Sequence, residues 1–171
     1  MAKDYFIADT HFGDKGIMQY ENRPFATADE MDEALIKNWN EIITDDDTVY
    51  VVGDFSAYYN DENKDKEILG KLKGTKILIM GNHDTHRSPS KWRELGFDEC
   101  SSLPVVYNGF YLVSHEPMYI NQNMPYANIF GHVHGSSIYK DFSPQSMCVS
   151  AERINYTPVS FDDIKEKITS A

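Results

Sequence analysis

Cysteine is scarce in this sequence of 171 residues. Its two cysteines, Cys100 and Cys148, are far apart and in no spacing typical of a zinc or redox motif. Two isolated thiols indicate a reducing compartment, and buried structural cysteines are favoured over catalytic ones. A chain of this length buries a sufficient core without disulfides, so we expect a single domain over residues 1–171.

Positive charge is also in short supply. The chain has 16 Lys and Arg against 27 Asp and Glu, which gives a formal net charge of -11. Such a chain lacks the general field that attracts a nucleic-acid backbone or an anionic membrane. If it acts on a phosphate ester, the attraction must come from a local feature such as metal ions. We therefore expect a small substrate and no long nucleic acid.

Long apolar runs are missing as well. No run approaches the roughly 20 residues of a transmembrane helix, and the charged residues Lys3 and Asp4 stand where a signal peptide would be apolar. The sequence also has no internal repeat, low-complexity segment or linker. These features predict a protein without membrane association that is located in the cytoplasm.

What the sequence does contain is a repeated pattern of short apolar runs that end in polar clusters. The clearest run is 77–80, which is followed directly by Gly81, Asn82, His83 and Asp84. A short apolar run closed by glycine is typical of a buried strand that ends in a tight turn. Similar clusters follow four more runs, at Asp9 and His11, at Gly53 and Asp54, at His115, and from Gly131 to His134.

These clusters contain five of the six histidines, and only His86 falls outside them. A lone histidine is more often a core or surface residue than a metal ligand, but five at strand ends reverse that expectation. In open α/β sheets, ligands bind at the carboxyl ends of the strands. We therefore expect the five strand ends to form one site.

The side chains in these clusters are imidazoles, carboxylates and an amide, without a thiolate. This set favours Mn²⁺, Fe, Zn²⁺ or Mg²⁺ and disfavours a structural zinc site of the cysteine type. Seven candidate ligands are too many for one catalytic ion that keeps a position open, and they suit two ions that share a carboxylate. We expect two divalent ions as cofactors, Mn²⁺ first, with Fe, Zn²⁺, Ni²⁺ or Mg²⁺ as alternatives.

The remaining segments predict helices in the first half of the chain and a hairpin in the second. Thr27 and Glu30 form a capping box ahead of an apolar stripe with helical spacing that extends to Ile43. Further elements are predicted as helices at 60–73, from Ser88 to Gly96 and from Ser160 to Ile168, a two-residue hairpin at Asn108 and Gly109, and a solvated turn at 45–47. Strand–helix alternation followed by hairpins favours mixed sheets.

The five clusters, in this order, resemble the calcineurin-like metallophosphoesterase superfamily. Its pattern is Asp-x-His, Gly-Asp, Gly-Asn-His followed by Asp or Glu, a His after a strand, and Gly-His-x-His. In this chain the motifs span residues 9–134, and each of them is present. Two departures are visible: Ser114 precedes His115 where glycine is common, and Phe55 and Ser56 follow Asp54 where many members carry further polar residues. Neither departure removes a ligand.

The resemblance implies an α/β fold, a four-layer α/β/β/α sandwich of two mixed sheets. It also implies the metal ligands. One ion would be bound by Asp9, His11, Asp54 and His134, and the other by Asp54, Asn82, His115 and His132, with Asp54 as the bridge. A hydroxide between the ions, which would lie roughly 3.5–4 Å apart, is the implied nucleophile for in-line attack on phosphorus.

The resemblance also gives His83 a role, as the donor of a proton or hydrogen bond to the leaving oxygen. Asp84 would hold its imidazole in the required tautomer. Arg23, in the loop before the first long helix, either reaches a phosphate oxygen or forms a surface ion pair. Four tyrosines just after ligand clusters either stack on a nucleobase or pack the rim of the site: Tyr58, Tyr59, Tyr119 and Tyr126.

The implied function is that of a metal-dependent phosphoesterase, with a small phosphodiester as the favoured substrate. A phosphomonoesterase or a protein phosphatase using the same site is the alternative within the enzyme class. A non-catalytic metal-binding scaffold on the same fold is the alternative outside it, and the presence of His83 together with all seven ligands favours the enzyme. We expect no separate cap or nuclease-type specificity domain, and the sequence leaves the oligomeric state open.

Overall fold

The structure is a computed structural model that describes residues 2–121, 123–124 and 126–171. Its helices are α1 (Lys15–Tyr20), α2 (Ala28–Ile42), α3 (Glu62–Lys71), α4 (Pro89–Leu95) and α5 (Phe161–Ser170). Its strands are β1 (Asp4–Ile7), β2 (Thr48–Val51), β3 (Thr75–Ile79), β4 (Glu99–Ser101), β5 (Val105–Tyr107), β6 (Tyr111–Ser114), β7 (Ala127–Phe130), β8 (Phe142–Ser143), β9 (Ser146–Cys148) and β10 (Val159–Ser160). Two short 3-10 turns lie at Asn82–Asp84 and Ala151–Arg153.

The strands form two five-stranded mixed sheets. Sheet I has the order β10-β1-β2-β3-β4, in which β1 to β4 are parallel and β10 is antiparallel to β1. Sheet II has the order β5-β6-β7-β9-β8, in which β6, β7 and β9 are parallel and the two edge strands are antiparallel. Because the central strands of each sheet are parallel, the residues that follow them emerge at one edge.

The two sheets are joined by backbone hydrogen bonds at the end of β1. The N–H of Ala8 donates to the carbonyl of Val149 at 2.8 Å, and the carbonyl of Ala8 accepts from the N–H of Ala151 at 3.0 Å. The segment that follows β9 therefore lies beside the segment that follows β1. This junction brings the strand ends of both sheets to the same region of the molecule.

Alternation along β1 divides the core into two parts. Tyr5 and Ile7 face the outer side of sheet I and pack with the apolar residues of α2, α3 and α4. Phe6 and Ala8 face the other way and pack with the inward residues of sheet II. Successive side chains of a strand point to opposite faces, so the apolar sequence of β1 fills both parts of the core.

Helix α5 contacts both sheets, through β8 and β9 of sheet II and through β1 and β10 of sheet I. Its buried residues Ile164 and Ile168 join the core between the sheets. Helix α5 therefore bridges the two sheets at the side of their shared core. The prediction of an α/β fold with two mixed sheets is confirmed.

The predicted helix starts are confirmed by their caps. The hydroxyl of Thr27 accepts the N–H of Glu30 at 3.1 Å, and the Glu30 carboxylate accepts the N–H of Ala26 at 2.9 Å. Ser88 and Ser160 cap α4 and α5 in the same way. Side-chain oxygens thus satisfy backbone N–H groups that the first turn of a helix leaves without partners.

Two local predictions need correction. The hairpin at Asn108 has three loop residues, since Tyr107 pairs directly with Tyr111. The turn at 45–47 is not solvated throughout, because Asp47 is buried and accepts hydrogen bonds from the N–H groups of Lys3 and Thr44. In the first case the pairing of β5 with β6 determines the loop length, and in the second the hydrogen bond from Lys3 determines the burial of Asp47.

Both cysteines are free thiols. Cys148 is buried and Cys100 is half-buried, and burial raises the pKa of each thiol to about 11. A thiol with so high a pKa is a poor nucleophile and a poor metal ligand at neutral pH. None of the described helices has the length and apolar character needed to cross a membrane.

Candidate metal centre

The five polar clusters meet at one edge of the two sheets. Sheet I supplies Asp9 and His11 after β1, Asp54 after β2, and the turn Asn82–Asp84 after β3. Sheet II supplies His115 after β6, and His132 and His134 after β7. The strands β1, β2 and β3 are parallel to one another, as are β6 and β7, so their carboxyl ends lie at one edge of each sheet. The backbone junction at Ala8 brings these two edges together. Within this edge the ligand-type atoms form two groups.

The first group consists of Asp9, His11 and His134. One ligand atom from each lies within 4.8 Å of the others, which is close enough to hold a metal ion. His11 is buried. Among the described residues its Nε2 has no hydrogen-bond partner, and its Nδ1 has only the 3.3 Å contact with the carboxylate of Asp14. A buried imidazole nitrogen without a partner costs free energy. A cation at this position would remove that cost.

The second group consists of Asp54, His115 and His132, and the amide of Asn82 joins it. The oxygen Oδ1 of Asn82 lies 3.1 Å from both His115 Nε2 and His132 Nδ1, and these two nitrogens are 3.1 Å apart. Atoms bound to one ion at about 2.1 Å and at right angles would be separated by about 3.0 Å. The triangle therefore has the dimensions of part of a coordination shell.

The proton on His115 supports the same interpretation. Its Nδ1 lies 2.9 Å from the carbonyl oxygen of Val52, which can only accept, so Nδ1 carries the proton and donates it. In a neutral ring Nε2 then offers a lone pair, and it faces the carboxylate of Asp54 at 3.3 Å as well as the amide oxygen of Asn82 at 3.1 Å. Converging lone pairs repel unless positive charge lies between them.

Asp54 connects the two groups through one oxygen. Its Oδ2 lies 3.6 Å from His11 Nε2 and 3.3 Å from His115 Nε2. Its other oxygen, Oδ1, accepts the backbone N–H of His83 at 2.8 Å, which fixes the orientation of the carboxylate. The residue is 2% exposed, so its charge faces both groups and little water. Asp54 Oδ2 is thus placed where a bridging ligand would be.

The electrostatics of the site favour bound positive charge. Burial would lower the pKa of His115, but its hydrogen bond to Asp54 and the charges of Asp9 and Asp54 raise that pKa to about 9. Burial would raise the pKa of Asp54, but His115 and His11 lower it to about 2. The pKa of His134 is also raised, because its contacts with Glu152 and Asp9 outweigh its burial. The raised histidine pKa values show that the carboxylates of the site stabilise positive charge there, and a divalent cation would supply that charge.

The backbone at this edge takes conformations that most side chains avoid. Five of the candidate ligands have φ in the left-handed region, at 57° for Asp9, 48° for His11, 56° for Asp54, 70° for His132 and 45° for His134. Residues held in this region persist where the surrounding structure determines them, and they are concentrated at functional sites. The left-handed turns direct side chains from adjacent loops toward common points.

Glycine allows these loops to approach closely. A Cβ on Gly81 would overlap Oδ1 of Asp54 and would lie 2.8 Å from both the Asp54 nitrogen and His115 Cε1. A Cβ on Gly131 would overlap Ala8 and lie 2.8 Å from Oδ2 of Asp9. The glycines of the motifs therefore make room for the carboxylates.

Asp84 does not contact the ring of His83 as expected. Its carboxylate accepts three backbone N–H groups, from Asp54 at 2.7 Å, Gly81 at 2.8 Å and Phe55 at 3.0 Å. The 3-10 turn directs the side chain inward, where it is fully buried. Burial and the nearby charge of Asp54 raise the pKa of Asp84 to about 6 against the effect of the three donors. Asp84 therefore supports the loop of Asp54 and not the imidazole.

Arg23 faces the protein interior and not a substrate position. Its side chain is 0% exposed and pairs with Glu152 at 2.6 Å. It also donates to the backbone carbonyls of Asp9 at 2.6 Å and Thr10 at 2.9 Å. This ion pair buries both charges beside the loop after β1. Arg23 therefore neither reaches toward a phosphate oxygen nor forms an ion pair at the surface, which were the two expected roles. Arg23 supports the loop that carries Asp9.

Glu152 is a site residue that the motifs did not indicate. Its Oε1 lies 3.2 Å from Nδ1 of His134 and so fixes the orientation of that ring, with Nε2 3.9 Å from Asp9. Burial would raise the pKa of Glu152, but His134 and Arg23 lower it to about 2. The sequence did contain one signal for Glu152. This residue comes shortly after the strand β9, just as each of the five polar clusters comes shortly after a strand.

Asp14 plays a similar part for His11. Its carboxylate oxygen lies 3.3 Å from Nδ1 of His11, and its other oxygen caps α1 through the N–H groups of Gly16 and Ile17. The contact with His11 and the two N–H donors lower the pKa of Asp14 to about 2 although burial opposes them. Carboxylates behind metal-binding histidines fix the ring orientation in this way.

The four tyrosines behind the clusters differ in position. The Tyr59 hydroxyl lies 2.8 Å from Nδ1 of His83, whereas the Tyr58 hydroxyl donates to Asp32 at 2.9 Å, away from the candidate ligands. Tyr119 is 90% exposed and Tyr126 is half-buried. Stacking on a nucleobase stays a prediction for these rings.

A cleft of about 520 Å³ opens beside the second group, next to Asn82 and His115. Its walls are largely apolar and include Met80, Leu103, Pro104, Pro117 and Met118. Among the described residues that line it, none is Lys or Arg, and Glu116 adds a negative charge. The cleft therefore suits an uncharged organic group.

A comparison with protein families and with curated proteins identifies relatives of the chain. The family model for calcineurin-like phosphoesterase matches residues 5–167. The uncharacterized protein MJ1445 of Methanocaldococcus jannaschii is 38% identical over 174 residues, which cover 98% of this chain and 92% of that protein. The gene 66 protein of Mycobacterium phage L5 is 34% identical over 87 residues, which cover 49% of this chain and 41% of that protein.

Solved structures with the same fold are also known. The protein of unknown function AQ665 from Aquifex aeolicus matches with a TM-score of 0.73 and 27% identity, over 97% of this chain and 99% of that one. The nuclease MPE of Pseudomonas putida matches with a TM-score of 0.52 and 21% identity, over 77% of this chain and 61% of that one. The first similarity covers both sheets, and the second is a similarity of fold.

Proposed function

Because this chain belongs to the calcineurin-like phosphoesterase family, and is thus a metal-dependent phosphoesterase, we propose that it hydrolyses a small phosphodiester with two divalent ions at the site described above. The observation that carries the proposal is the position of Asp54. One of its oxygens faces His11 at 3.6 Å and His115 at 3.3 Å, so a single carboxylate serves both groups of ligand atoms.

The donor atoms fit two cations that share this carboxylate. One ion would be held by Asp9, His11, Asp54 and His134, and the other by Asp54, Asn82, His115 and His132. When bound, such ions supply Lewis acidity toward the phosphoryl oxygens and lower the pKa of water. The imidazole, carboxylate and amide donors, without thiolate, make Mn²⁺ the first candidate.

We assign His83 the role of proton donor to the leaving oxygen. Its backbone N–H holds Asp54, and its ring lies edge-on to the ring of His11 with 5.1 Å between centroids, so the imidazole borders the first group without joining it. A positioned histidine that donates a proton typically contributes about 10²–10⁴-fold to the rate. An ester with a poor leaving group benefits most from this donation.

A diester is favoured over a monoester by the charges around the site. A phosphomonoester carries one more negative charge than a diester. Three of the four arginines are held in ion pairs, and the fourth, Arg93, donates a hydrogen bond to Ser90 within α4. Arg23 is paired with Glu152, Arg87 with Asp65, and Arg153 with Asp141. The apolar cleft beside Asn82 would accommodate the second organic arm that a diester has.

The test is a panel of mono- and diesters assayed after metal removal and addition of single metals. We expect activity to return with Mn²⁺ and to be higher on small diesters than on the corresponding monoesters or on polynucleotides. The acidic chain, with net charge -11, has little attraction for a polyanion. A monoester preference under every metal would contradict the choice of substrate and leave the phosphoesterase activity standing.

The proposal of a shared carboxylate is tested by metal analysis of variants. Asp54→Asn is expected to reduce occupancy of both ions, whereas Asp9→Asn reduces mainly one, because Asp9 belongs to a single group. Asp46→Asn, an exposed aspartate far from the site, is the matched control and should bind two ions per chain. A stoichiometry of one ion that Asp54→Asn leaves unchanged would contradict the dinuclear site.

The cleft is tested by replacing an exposed apolar residue in its wall. Leu103→Ser is expected to raise KM about fivefold for a diester with a bulky second arm, which corresponds to about 1 kcal/mol of apolar contact. The same variant should leave KM unchanged for a diester whose second arm is methyl. Val106→Ser removes a similarly exposed apolar residue outside the cleft and is the control. Equal effects of both variants would contradict the assignment of the cleft.

A further inference from the structure

The ring of His83 is held by a tyrosine hydroxyl. Oη of Tyr59 lies 2.8 Å from Nδ1 of His83, within the usual range of a hydrogen bond. The carboxylate next in sequence, Asp84, is engaged by three backbone N–H groups and is unable to serve the ring. The partner of the imidazole is thus a neutral group from the segment after β2.

The contact is part of a closed set of interactions that includes His86, the histidine outside the strand-end clusters. Nδ1 of His86 is hydrogen-bonded to the carbonyl of His83 at 2.7 Å. The ring of Tyr59 packs edge-on against the ring of His86, with 4.8 Å between centroids, and His86 packs against the buried ring of Trp92 at 5.6 Å. Tyr59 is 45% exposed, and these contacts connect its ring through His86 to the buried Trp92.

The result is that His83 is fixed on several sides. Its N–H is bound to Asp54, its carbonyl to His86, and its Nδ1 to Tyr59. With Nδ1 occupied, Nε2 is the ring nitrogen left for a substrate. A hydroxyl can donate or accept, so it can serve Nδ1 both before and after the ring gives up a proton. It also adds no further negative charge beside Asp54.

We propose that Tyr59 is the positioning residue of His83 and directs Nε2 toward the leaving oxygen of the ester. This inference rests on the proposed role of His83 as proton donor. It differs from the expectation that a carboxylate orients the ring, and from the expectation that Tyr59 stacks on the substrate. Tyr59 acts through His83 and touches neither the ions nor the phosphoryl group.

The test compares Tyr59→Phe with Tyr58→Phe. The two variants make the same chemical change at adjacent positions, but the hydroxyl of Tyr58 binds Asp32 and not His83. We expect Tyr59→Phe to lower kcat on a diester with an alkyl leaving group by about 10- to 100-fold, as misplacement of a reacting group does. The loss should be much smaller on a nitrophenyl ester, whose leaving group is stable as an anion. KM and metal content should stay near those of the wild type, and Tyr58→Phe should change none of these values per folded molecule.

A double variant separates positioning from a general structural effect. In the His83→Asn background, Tyr59→Phe should cause no further loss, because the residue acts through the ring that has been removed. NMR of the imidazole nitrogens of the metal-free protein provides a readout without turnover. The signal of His83 Nδ1 should change in Tyr59→Phe and stay unchanged in Tyr58→Phe.

Three results would overturn the inference. Equal losses on the two leaving groups, additive losses in the double variant, or an unchanged Nδ1 signal would each mean that Tyr59 does not position His83. If His83→Asn itself loses equal activity on both leaving groups, the proposed role of His83 fails and this inference with it. If His83→Asn shows the leaving-group effect and Tyr59→Phe does not, the inference fails alone.

Discussion

At the residue scale, the candidate metal centre depends on side chains that occupy unusual backbone conformations and on glycines that leave room for them. Asp9, Asp54 and His132 lie in the left-handed region, and Gly81 lets Asp54 approach the turn after β3. The buried side chains of the site have specific neighbours: Asp14 lies beside His11, Glu152 beside His134, and Arg23 beside Glu152. A small change at one of these positions is therefore expected to disturb metal binding before it disturbs the fold.

The close approach at Gly81 gives a direct prediction. Gly81→Ala would place a methyl group against Asp54 Oδ1 and 2.8 Å from His115 Cε1, so we expect loss of metal binding and destabilisation of about 1–3 kcal/mol. Gly70→Ala is the control, because a Cβ there meets no atom within 4 Å. In a helix the control should be stabilised by about 0.5–1 kcal/mol. Metal titration and urea unfolding of both variants check the prediction, and full metal binding by Gly81→Ala would contradict it.

The buried carboxylate behind His134 gives a second prediction. Glu152→Gln keeps an acceptor for Arg23 but loses the negative charge that orients His134. We expect the affinity of the ion held by Asp9, His11 and His134 to fall about 10- to 100-fold, with little change at the other ion. Calorimetric metal titration measures this, and Glu166→Gln on the exposed side of α5 is the control. A loss shared equally by both ions would contradict the assignment of Glu152 to one group.

At the element scale, the connections between helices and strands are fixed by contacts that are distant in sequence. The turn from α2 to β2 is held by Asp47, whose carboxylate accepts the N–H of Lys3 and both the N–H and the hydroxyl of Thr44, each at 2.8 Å. These bonds attach the start of β1 to the turn before β2 and so set the register of the first two strands. The site depends on that register, because it places Asp9 beside Asp54.

The pH dependence of this contact can be predicted with its sign. Burial would raise the pKa of Asp47, but the hydrogen bonds from Thr44 and Lys3 outweigh it and lower the pKa below its usual value. A carboxylate with a lowered folded-state pKa stabilises the fold above the unfolded pKa of about 3.9, and this contribution is lost as the pH falls through the folded pKa. Asp47→Asn should therefore be less stable than the wild type by about 1.5–3 kcal/mol at pH 7.

The measurement is urea unfolding of the metal-free protein as a function of pH. The stability difference between wild type and Asp47→Asn should shrink as the pH is lowered below about 4. The exposed neighbour Asp46→Asn should differ little from the wild type at every pH. A difference that stays constant through the acidic range would show that the charge of Asp47 contributes nothing to the fold.

The sequence was sufficient to predict the central strands, the helix caps and the meeting of the candidate ligands. Those predictions depend on local signals, such as an apolar run closed by glycine or a serine before a helix. It was insufficient for β4, which has a single apolar residue, Cys100, between Glu99 and Ser101, and for the two-residue strands β8 and β10. Such short strands form because a neighbouring strand offers hydrogen bonds. The local sequence contains no pattern that indicates which neighbour will be available.

The same limit applies to the supporting residues of the site. The ion pair of Arg23 with Glu152 joins residues 129 positions apart, and the contact of Tyr59 with His83 depends on the direction of a 3-10 turn. Residue type and spacing identify which side chains carry the chemistry. The partners that hold those side chains are set by how two sheets and their loops pack, which the spacing does not contain.

At the scale of the whole molecule, the excess of negative charge and the buried carboxylates of the site both favour the binding of cations. The chain has a formal net charge of -11, and it buries Asp9, Asp54 and Asp84 close together at the candidate metal centre. Repulsion among these carboxylates opposes the compact state in the absence of cations. Bound divalent ions should therefore stabilise the fold as well as take part in catalysis.

Thermal unfolding provides the measurement. At a free metal concentration 100 times the Kd, one ion adds about 2.7 kcal/mol, which for a chain of this size raises Tm by about 5–10 °C. A chelator should reverse the rise, and Asp54→Asn should lose most of it. A Tm that responds equally to metal in the wild type and in Asp54→Asn would locate the stabilising ions elsewhere.

The division of the candidate ligands between two sheets has a consequence for protein synthesis. Asp9, His11, Asp54 and Asn82 precede the end of β4, whereas His115, His132, His134 and the supporting Glu152 follow it. A chain that has left the ribosome only as far as β4 can pair β1 to β4 but holds neither group of ligands in full. Since metal affinity follows the assembly of the ligand set, high-affinity metal uptake must wait until β7 and the turn after β9 have emerged and docked.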